Sequence, residues 1–267
     1  MRFFTKKIPA SPPMLLCSHG KKQYVTVGNA QIKGQRKEQQ DSFGWSDINL
    51  ERGSILAVLS DGMGGLADGM VASKMVVKHF ITSIHSYDGT KSIPSFLEKT
   101  TEEANELLHK ENQIKNVKSG ATLVAAIIVH NELYWASVGD SRLYLLRNEG
   151  LYQINEDHNL ENFVLHKELQ GEMISEQLTG SLSSYLGTEY LADIDFNRRA
   201  FYLQDNDCII LCTDGIYQAV TEDEIKELLH KQSQSAADKI TRLVTAKNYP
   251  KQDNATIMIL NFKEEQK

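Results

Sequence analysis

The order of elements along the chain predicts an α+β protein in which antiparallel sheets stack on one another and helices cover the outside. Strand-like segments come first, then two helical segments, a run of strands, two more helices and a last strand, which is not the alternation of a βαβ repeat. The middle strands are joined by turns at His130–Glu132, Gly139–Ser141 and Asn148–Gly150, too tight for a parallel crossover. A chain of 267 residues with 41% apolar content can also fill a substantial core.

Residues 1–22 hold Pro9, Pro12 and Pro13 without periodicity and are expected to form a loosely ordered arm. The domain is expected over 23–262, followed by a short tail at 263–267. Within it "YVTVGNAQIKG" and "DSFGWSD" read as strands, and "SILAVLSDG", apolar on both faces, reads as a fully buried strand stopped by glycine. A helix is expected from about Ala67 to His85. A second shows one apolar face through Ile93, Phe96, Leu97, Thr100, Ala104, Leu107 and Leu108, with polar "KENQIKNVKSG" ending it.

"ATLVAAIIV", "LYWASV", "RLYLLR" and "LYQI" follow as strands in antiparallel sequence. Residues 158–190 are polar and mixed, broken by Gly171, Gly180 and Gly187, and read as an excursion with one or two weak helices. Beyond it "IDFNRRAFYL" and "DCIILCTDG" are strands, 221–231 and 235–247 are helices, and "ATIMIL" closes the chain. No repeat or linker divides the domain.

Composition narrows the function. Net charge is −6, and basic residues come only in short clusters such as Lys21-Lys22 and Arg36-Lys37, so no stripe fits a nucleic-acid backbone. No run approaches the ~18 apolar residues of a membrane span. Arg2, Lys6 and Lys7 precede only "MLLC", far short of a signal-peptide core, so a cytoplasmic protein without a membrane partner is expected. Cys208 and Cys212 lie on one apolar strand, roughly 13 Å apart when extended, which excludes a bridge between them. With Cys17 they read as buried thiols of a reducing compartment.

The chemistry lies in aspartates at strand ends. Asp61 and Asp214 each close an apolar run and precede glycine, which lets the backbone turn and approach a ligand; Asp140 sits in a tight turn, Asp253 opens the last strand, and Asp41 stands in "QQDSFG". Singly, each is ordinary turn chemistry. Together they would meet at one edge of the sheet stack, where like charges so close call for a cation. Carboxylate oxygens without His or Cys partners suit Mg²⁺ or Mn²⁺ over Zn²⁺, and such sites chiefly activate water and clamp oxygens in phosphoryl transfer.

In order, "GQRKEQQD", "SDGMGG", "GATLV", "GDSRLYLLRNEG", "EDH", "LSSYLG", "CTDGIY" and "DNATIMIL" resemble the motifs of the type 2C, metal-dependent serine/threonine protein phosphatases, over about 23–262. Asp-Gly-Met-Gly-Gly resembles the bacterial branch. The resemblance implies a four-layer α-β-β-α sandwich with two central antiparallel sheets. It also implies two Mn²⁺ or Mg²⁺ ions, with a third, weaker ion near Asp140 and Asp214. Asp61 would bridge the two ions, the Gly62 carbonyl would complete the first, Asp214 and Asp253 would hold the second, and Asp41 would act through bound water. Arg36 would take the substrate phosphate with its planar fork, so that Arg36, Asp61 and Asp214 carry the catalysis. Implied partners are phosphorylated proteins and a pathway with an opposing serine/threonine kinase, served by a monomer.

Departures are specific. Gln39 stands for a common asparagine and Met70 for a glutamate, while Met63 replaces the histidine that many eukaryotic members use as general acid. His158 is a candidate for that task, although a structural histidine is the simpler reading. Residues 158–190 match the family's flap, where Glu168, Glu172 and Glu176 would disfavour acidic phosphopeptides. Rival functions are a pseudophosphatase serving as a binding module, and a phosphatase of small phosphoesters or of a phosphorylated regulator.

Overall fold

The computed structural model describes residues 22–48, 54–64, 68–169, 181–229 and 232–265. Nearly all of the expected arm, with Cys17, and also Gly65, Gly171, Glu172, Glu176 and Gly180, lie outside them. The elements in chain order are β1 (Lys22–Ile32), β2 (Asp41–Asp47), β3 (Ile55–Gly64), α1 (Asp68–His85), α2 (Ile93–Lys115), β4 (Ser119–Ala121), β5 (Leu123–Val129), β6 (Glu132–Val138), β7 (Arg142–Arg147), β8 (Gly150–Gln153), α3 (Leu160–Leu169), β9 (Asp195–Phe196), β10 (Phe201–Tyr202), β11 (Cys208–Cys212), α4 (Asp214–Tyr217), α5 (Glu222–Leu229), α6 (Ser233–Lys247) and β12 (Ala255–Glu265).

One sheet runs β1-β12-β11-β7-β8; the other runs β10-β6-β5-β3-β2, with β4 paired to β3 and β9 to β6. The double-sided burial of β3 follows from its place in the stack. Ile55, Ala57 and Leu59 pack with Leu143, Leu145, Ile209, Leu211 and Met258 between the sheets. Leu56 and Val58, on its other face, join Val76, Phe80, Leu97 and Leu108 of α1 and α2. Across the molecule Ile210 and Ile257 turn outward to Ile225, Ile240 and Val244 of α5 and α6. Period-two side-chain alternation thus serves three apolar layers and produces the expected α-β-β-α sandwich.

Four local expectations are corrected. The turn at Gly139–Ser141 does not join neighbours: β6 and β7 lie in different sheets, and the turn carries the chain across the stack. Gly139, at φ +96, fits because a Cβ there would lie 2.7 Å from Thr122 Cγ2. The polar stretch after Leu108 extends α2 to Lys115, because Glu106–Lys110 and Glu111–Lys115 pair along the helix and Asn112 turns inward to donate to Ser119 O at 2.7 Å. Asn116 then ends it in the left-handed region.

"IDFNRRAFYL" forms only β9 and β10, both on β6. Asn197 replaces the ladder between them, accepting from Trp135 N at 2.8 Å and donating to Leu133 O at 3.0 Å. The fourth difference is in β3, which continues through Gly62 to Gly64 because β4 pairs with that stretch. At the chain's end β12 pairs with β1 as far as Lys22↔Glu265, so Lys263 to Glu265 are in the sheet. Cys208 and Cys212 are free, buried thiols on β11. Among the described residues no helix is long and apolar enough to cross a membrane.

Arg147, ending β7, and Asp207, just before β11, are each 2% exposed. They form a forked ion pair, with Nε donating to Oδ1 at 2.9 Å, while Nη2 also donates to Tyr202 O of the other sheet at 2.9 Å. Removing one partner strands a buried charge, so Arg147→Met should lower unfolding free energy by about 3–5 kcal/mol in urea titrations. Arg147→Met with Asp207→Leu should recover most of the loss; a single variant with wild-type stability would contradict this account.

Candidate active site

Strand β3 delivers Asp61 to the edge of the stack. Its amide donates to Thr122 Oγ1 at 2.9 Å, its carbonyl accepts from Thr122 N at 2.8 Å, and Ser60 Oγ donates to Thr122 O at 2.6 Å. Asp41, first residue of β2, lies opposite Asp61 in register. From the other sheet come Asp214, first residue of α4, and Asp253, just before β12, while Asp140 lies in the crossing between the sheets from β6 to β7. Asp61, Asp140, Asp214, Asp253, Gly62 and Arg36 line one cleft of about 1040 Å³, and Asp41 lies behind it.

The glycines after Asp61 and Asp214 serve a purpose that sequence reasoning missed. A Cβ on Gly62 would lie 1.9 Å from Gly69 O, and one on Gly215 would lie 2.0 Å from Asn254 O. Neither has positive φ. These glycines seat each strand end against a neighbouring backbone, a constraint additional to the expected approach to a ligand. A Cβ on Gly69 would in turn lie 2.7 Å from Gly62 O, so the Gly62 carbonyl is beside the start of α1.

The carboxylates of Asp41, Asp214 and Asp253 are held from behind. Asp41 Oδ2 accepts from Thr256 Oγ1 at 2.6 Å and Thr213 Oγ1 at 3.0 Å, which ties β2 to the opposite sheet. Gln218 Nε2 donates to Asp214 Oδ2 at 2.8 Å, and Asn254 N donates to Asp253 Oδ1 at 2.8 Å. Arg36 and Asp253 form an ion pair through Oδ2. Asp140 offers its carbonyl to the Tyr217 hydroxyl at 3.1 Å, and the Arg142 guanidinium lies 3.6 Å over the Tyr217 ring. Asn254 Nδ2 donates to Lys33 O and Glu38 O while its Oδ1 accepts from Gln40 N, which shapes the loop bearing Arg36. Thr213, Thr256 and Asn254 were legible only as neighbours of the aspartates.

Burial and mutual repulsion disfavour the charges. Burial, with repulsion from Asp253, pushes Asp41 up to about 6 against its threonine hydrogen bonds. Burial, then Asp140, Asp253 and Asp41, pushes Asp214 up to about 7. Asp61 is driven well above the usual carboxylate range by burial and by Asp41, Asp214, Asp253 and Asp140; Asp140 is raised by burial and by Asp157. Among the described residues no three His, Cys, Asp or Glu side chains close into a ready cage as they stand. Yet Asp41 Oδ1 and Asp214 Oδ1 are buried with no hydrogen-bond partner, and an all-oxygen donor set with unmet acceptors fits a hard divalent cation.

Other sequence readings resolve individually. His158 is buried and pinned to the crossing: Gly139 N donates to its Nδ1 at 3.3 Å, and its own amide donates to Gly139 O at 2.8 Å. It does not line the cleft, so the structural role stands and the general-acid role does not. Gln39 uses both ends of its amide, donating to Ile32 O and accepting from Asp41 N, both at 2.9 Å. Met63 lines the cleft, whereas Met70 is half-buried outside it. Glu168 falls in α3 without a described side chain.

A four-layer sandwich that gathers carboxylates from both sheets into one polar cleft beside an arginine defines an enzyme of phosphate esters. The protein phosphatase 2C family model matches residues 28–248. The serine/threonine phosphatase stp of Listeria monocytogenes serotype 4b (strain F2365) is 33% identical over 216 residues, covering 77% of this chain and 83% of that protein. Protein phosphatase PhpP of Streptococcus pneumoniae serotype 2 (strain D39 / NCTC 7466) is 26% identical over 239 residues, covering 87% and 95%. Among solved structures, the S. agalactiae serine/threonine phosphatase superposes with a TM-score of 0.76 at 24% identity, over 89% of this chain and 99% of that one. The catalytic domain of PstP, in complex with two manganese ions, gives 0.71 at 24% identity over 91% and 100%. The chain belongs to the protein phosphatase 2C family, and it is a protein phosphatase.

The raised carboxylates set a pH dependence. The metal-free folded protein holds protons on Asp41 and Asp214 up to about pH 6 and 7, whereas an unperturbed carboxylate has released them near the ordinary value of 3.8. The stability they lend is therefore complete below about pH 4 and lost as pH rises to about 7. Melting in chelator from pH 5 to 8 should show a falling Tm, with a shallower fall in Asp214→Asn. A Tm that rises over this range would contradict the electrostatics.

Proposed function

We propose that this chain is a metal-dependent serine/threonine phosphatase that hydrolyses phosphoserine and phosphothreonine in proteins, opposing a kinase. The observation that carries the reading is the meeting of Asp61, Asp140, Asp214 and Asp253 in one cleft, where burial and repulsion disfavour their charges. A pair of Mg²⁺ or Mn²⁺ ions supplies, when bound, charge neutralisation and a water acidic enough to attack phosphorus near neutral pH.

This chain's residues divide the remaining work. Asp61 would help to hold both ions, with the Gly62 carbonyl at the first and Asp214 and Asp253 at the second; Asp140 and Asp214 would hold a weaker third. Thr213 and Thr256 fix Asp41 through Oδ2 and leave its Oδ1 open, and Asp41 would act on the ions through bound water. Gln218 orients Asp214, leaving Oδ1 open. Arg36 exchanges Asp253 for two oxygens of the phosphoryl group, which its fork matches and a lysine would not. Retention of all four cleft aspartates favours an enzyme over a binding module derived from one.

The expected domain over 23–262 takes in Lys22 and Lys263 to Glu265 as well, because β1 and β12 pair that far; a flap at about 158–190 and a cytoplasmic monomer belong to the same proposal. The functional test is hydrolysis of p-nitrophenyl phosphate and a phosphothreonine peptide with Mn²⁺, with chelator, and in Asp214→Asn. Both controls should lose at least about 100-fold in kcat/KM, the scale of removing one transition-state contact. Turnover indifferent to metal and to the substitution would overturn the mechanism. Separately, Asp41→Asn should weaken Mn²⁺ binding by about 10–100-fold in calorimetry, because it disturbs a group acting behind the ligands.

A further inference from the structure

The cleft is far larger than a phosphoryl group requires. Beyond the carboxylates it runs along β4, which pairs with the end of β3, between the last turns of α2 and the segment 181–189. The α2 side presents His109, Gln113 and Asn116, and the opposite side presents Tyr185 and Thr188. Tyr185 packs against β4: a Cβ on Gly120 would be 2.6 Å from its ring. Amide and hydroxyl groups along both walls with an aromatic floor suit the backbone and side chains of an extended polypeptide.

Charge along the groove is uneven. Asp61, Asp140, Asp214, Asp253 and Glu189 are acidic, and the cations are Arg36, which is paired with Asp253, and Lys118. Lys118 is exposed, and among the described residues it carries no ion pair. It precedes β4, and its carbonyl would lie 3.3 Å from a Cβ on Gly64, so it marks the groove beside the β3 end. Thr122 faces Asp61, its amide donating to Asp61 O at 2.8 Å. From Thr122 back to Lys118 an extended strand covers roughly 13 Å, at about 3.3 Å per residue. A lysine stem shortens that gap, and an extended substrate advances by the same rise. Lys118 therefore reaches a side chain roughly two to four residues from one seated at Asp61.

Resting on the phosphatase reading, we propose that this groove holds the substrate polypeptide beside the phosphorylated residue, and that Lys118 selects an acidic side chain there. A groove otherwise lined by carboxylates favours basic or neutral sequences; Lys118 makes one local exception.

The test uses a fluorescent peptide with a non-hydrolysable phosphonate in place of phosphothreonine, carrying glutamate or glutamine at each position two to four residues to either side. Binding is read by anisotropy in Mn²⁺, and kcat and KM are measured on matching phosphopeptides. Wild type should favour glutamate at one such position by about three- to fivefold, the scale of an exposed ion pair, and the preference should shrink at high salt. Lys118→Met should erase it and Lys118→Glu should invert it, in KM and not in kcat. Absence of any preference in wild type, or its survival in Lys118→Met, overturns the proposal. A wild type that shows the Lys118-dependent binding preference yet hydrolyses no p-nitrophenyl phosphate would support the groove and sink the phosphatase reading.

Discussion

The fold is organised around an electrostatic conflict. Aspartates from both sheets converge at one edge, where burial and their mutual fields lift Asp61, Asp140 and Asp214 above the usual carboxylate range, and Asp41 behind them. A folded chain tolerates such a grouping only if other interactions hold the carboxylates in place. The apolar layer between the sheets supplies that restraint, with Leu59 directly before Ser60 and Asp61, and Leu211 shortly before Asp214. Hydrophobic burial is thus what keeps mutually repelling groups close enough to share a cation.

Backbone proximity completes the restraint. Gly62 sits against Gly69, and Gly215 against Asn254, at separations where a single Cβ would collide with a carbonyl. The strand end carrying Asp61 is thereby locked to α1, and the start of α4, carrying Asp214, is locked to the segment bearing Asp253. Thr213 and Thr256 do the corresponding work between sheets by sharing Asp41 Oδ2. The same economy leaves Asp41 Oδ1 and Asp214 Oδ1 without partners, as a cation site requires. Arg36 is the exception, since its ion pair with Asp253 joins a proposed phosphate-binding group to a proposed metal ligand, and the two must separate for both to act in those roles.

The same cleft continues into a groove with its own pattern of charge. Asn105 accepts from Gly187 N and Thr188 N at 2.8 and 3.1 Å, so α2 and the segment after residue 181 form one wall system and do not merely lie adjacent. Chemistry at the carboxylates and discrimination along the groove are therefore carried by different elements, which can change independently.

Much of this was legible along the chain. Strand periods, helical stripes and turn residues determined the α+β class, the antiparallel sheets and the outer helices, because each is a local consequence of side-chain alternation and backbone sterics. Aspartates closing apolar runs marked Asp61 and Asp214, since a charge directly after a buried strand can only lie at its edge. Local pattern could not tell that Gly139 and Asp140 cross between sheets, because a tight turn looks the same whether the next strand pairs beside it or across the stack. Nor could it pair Arg36 with Asp253, set Thr256 against Asp41, or show that Gly62 and Gly215 answer to neighbouring carbonyls. Those facts depend on groups far apart in sequence, brought together only when the two sheets pack, and tertiary structure alone decides them.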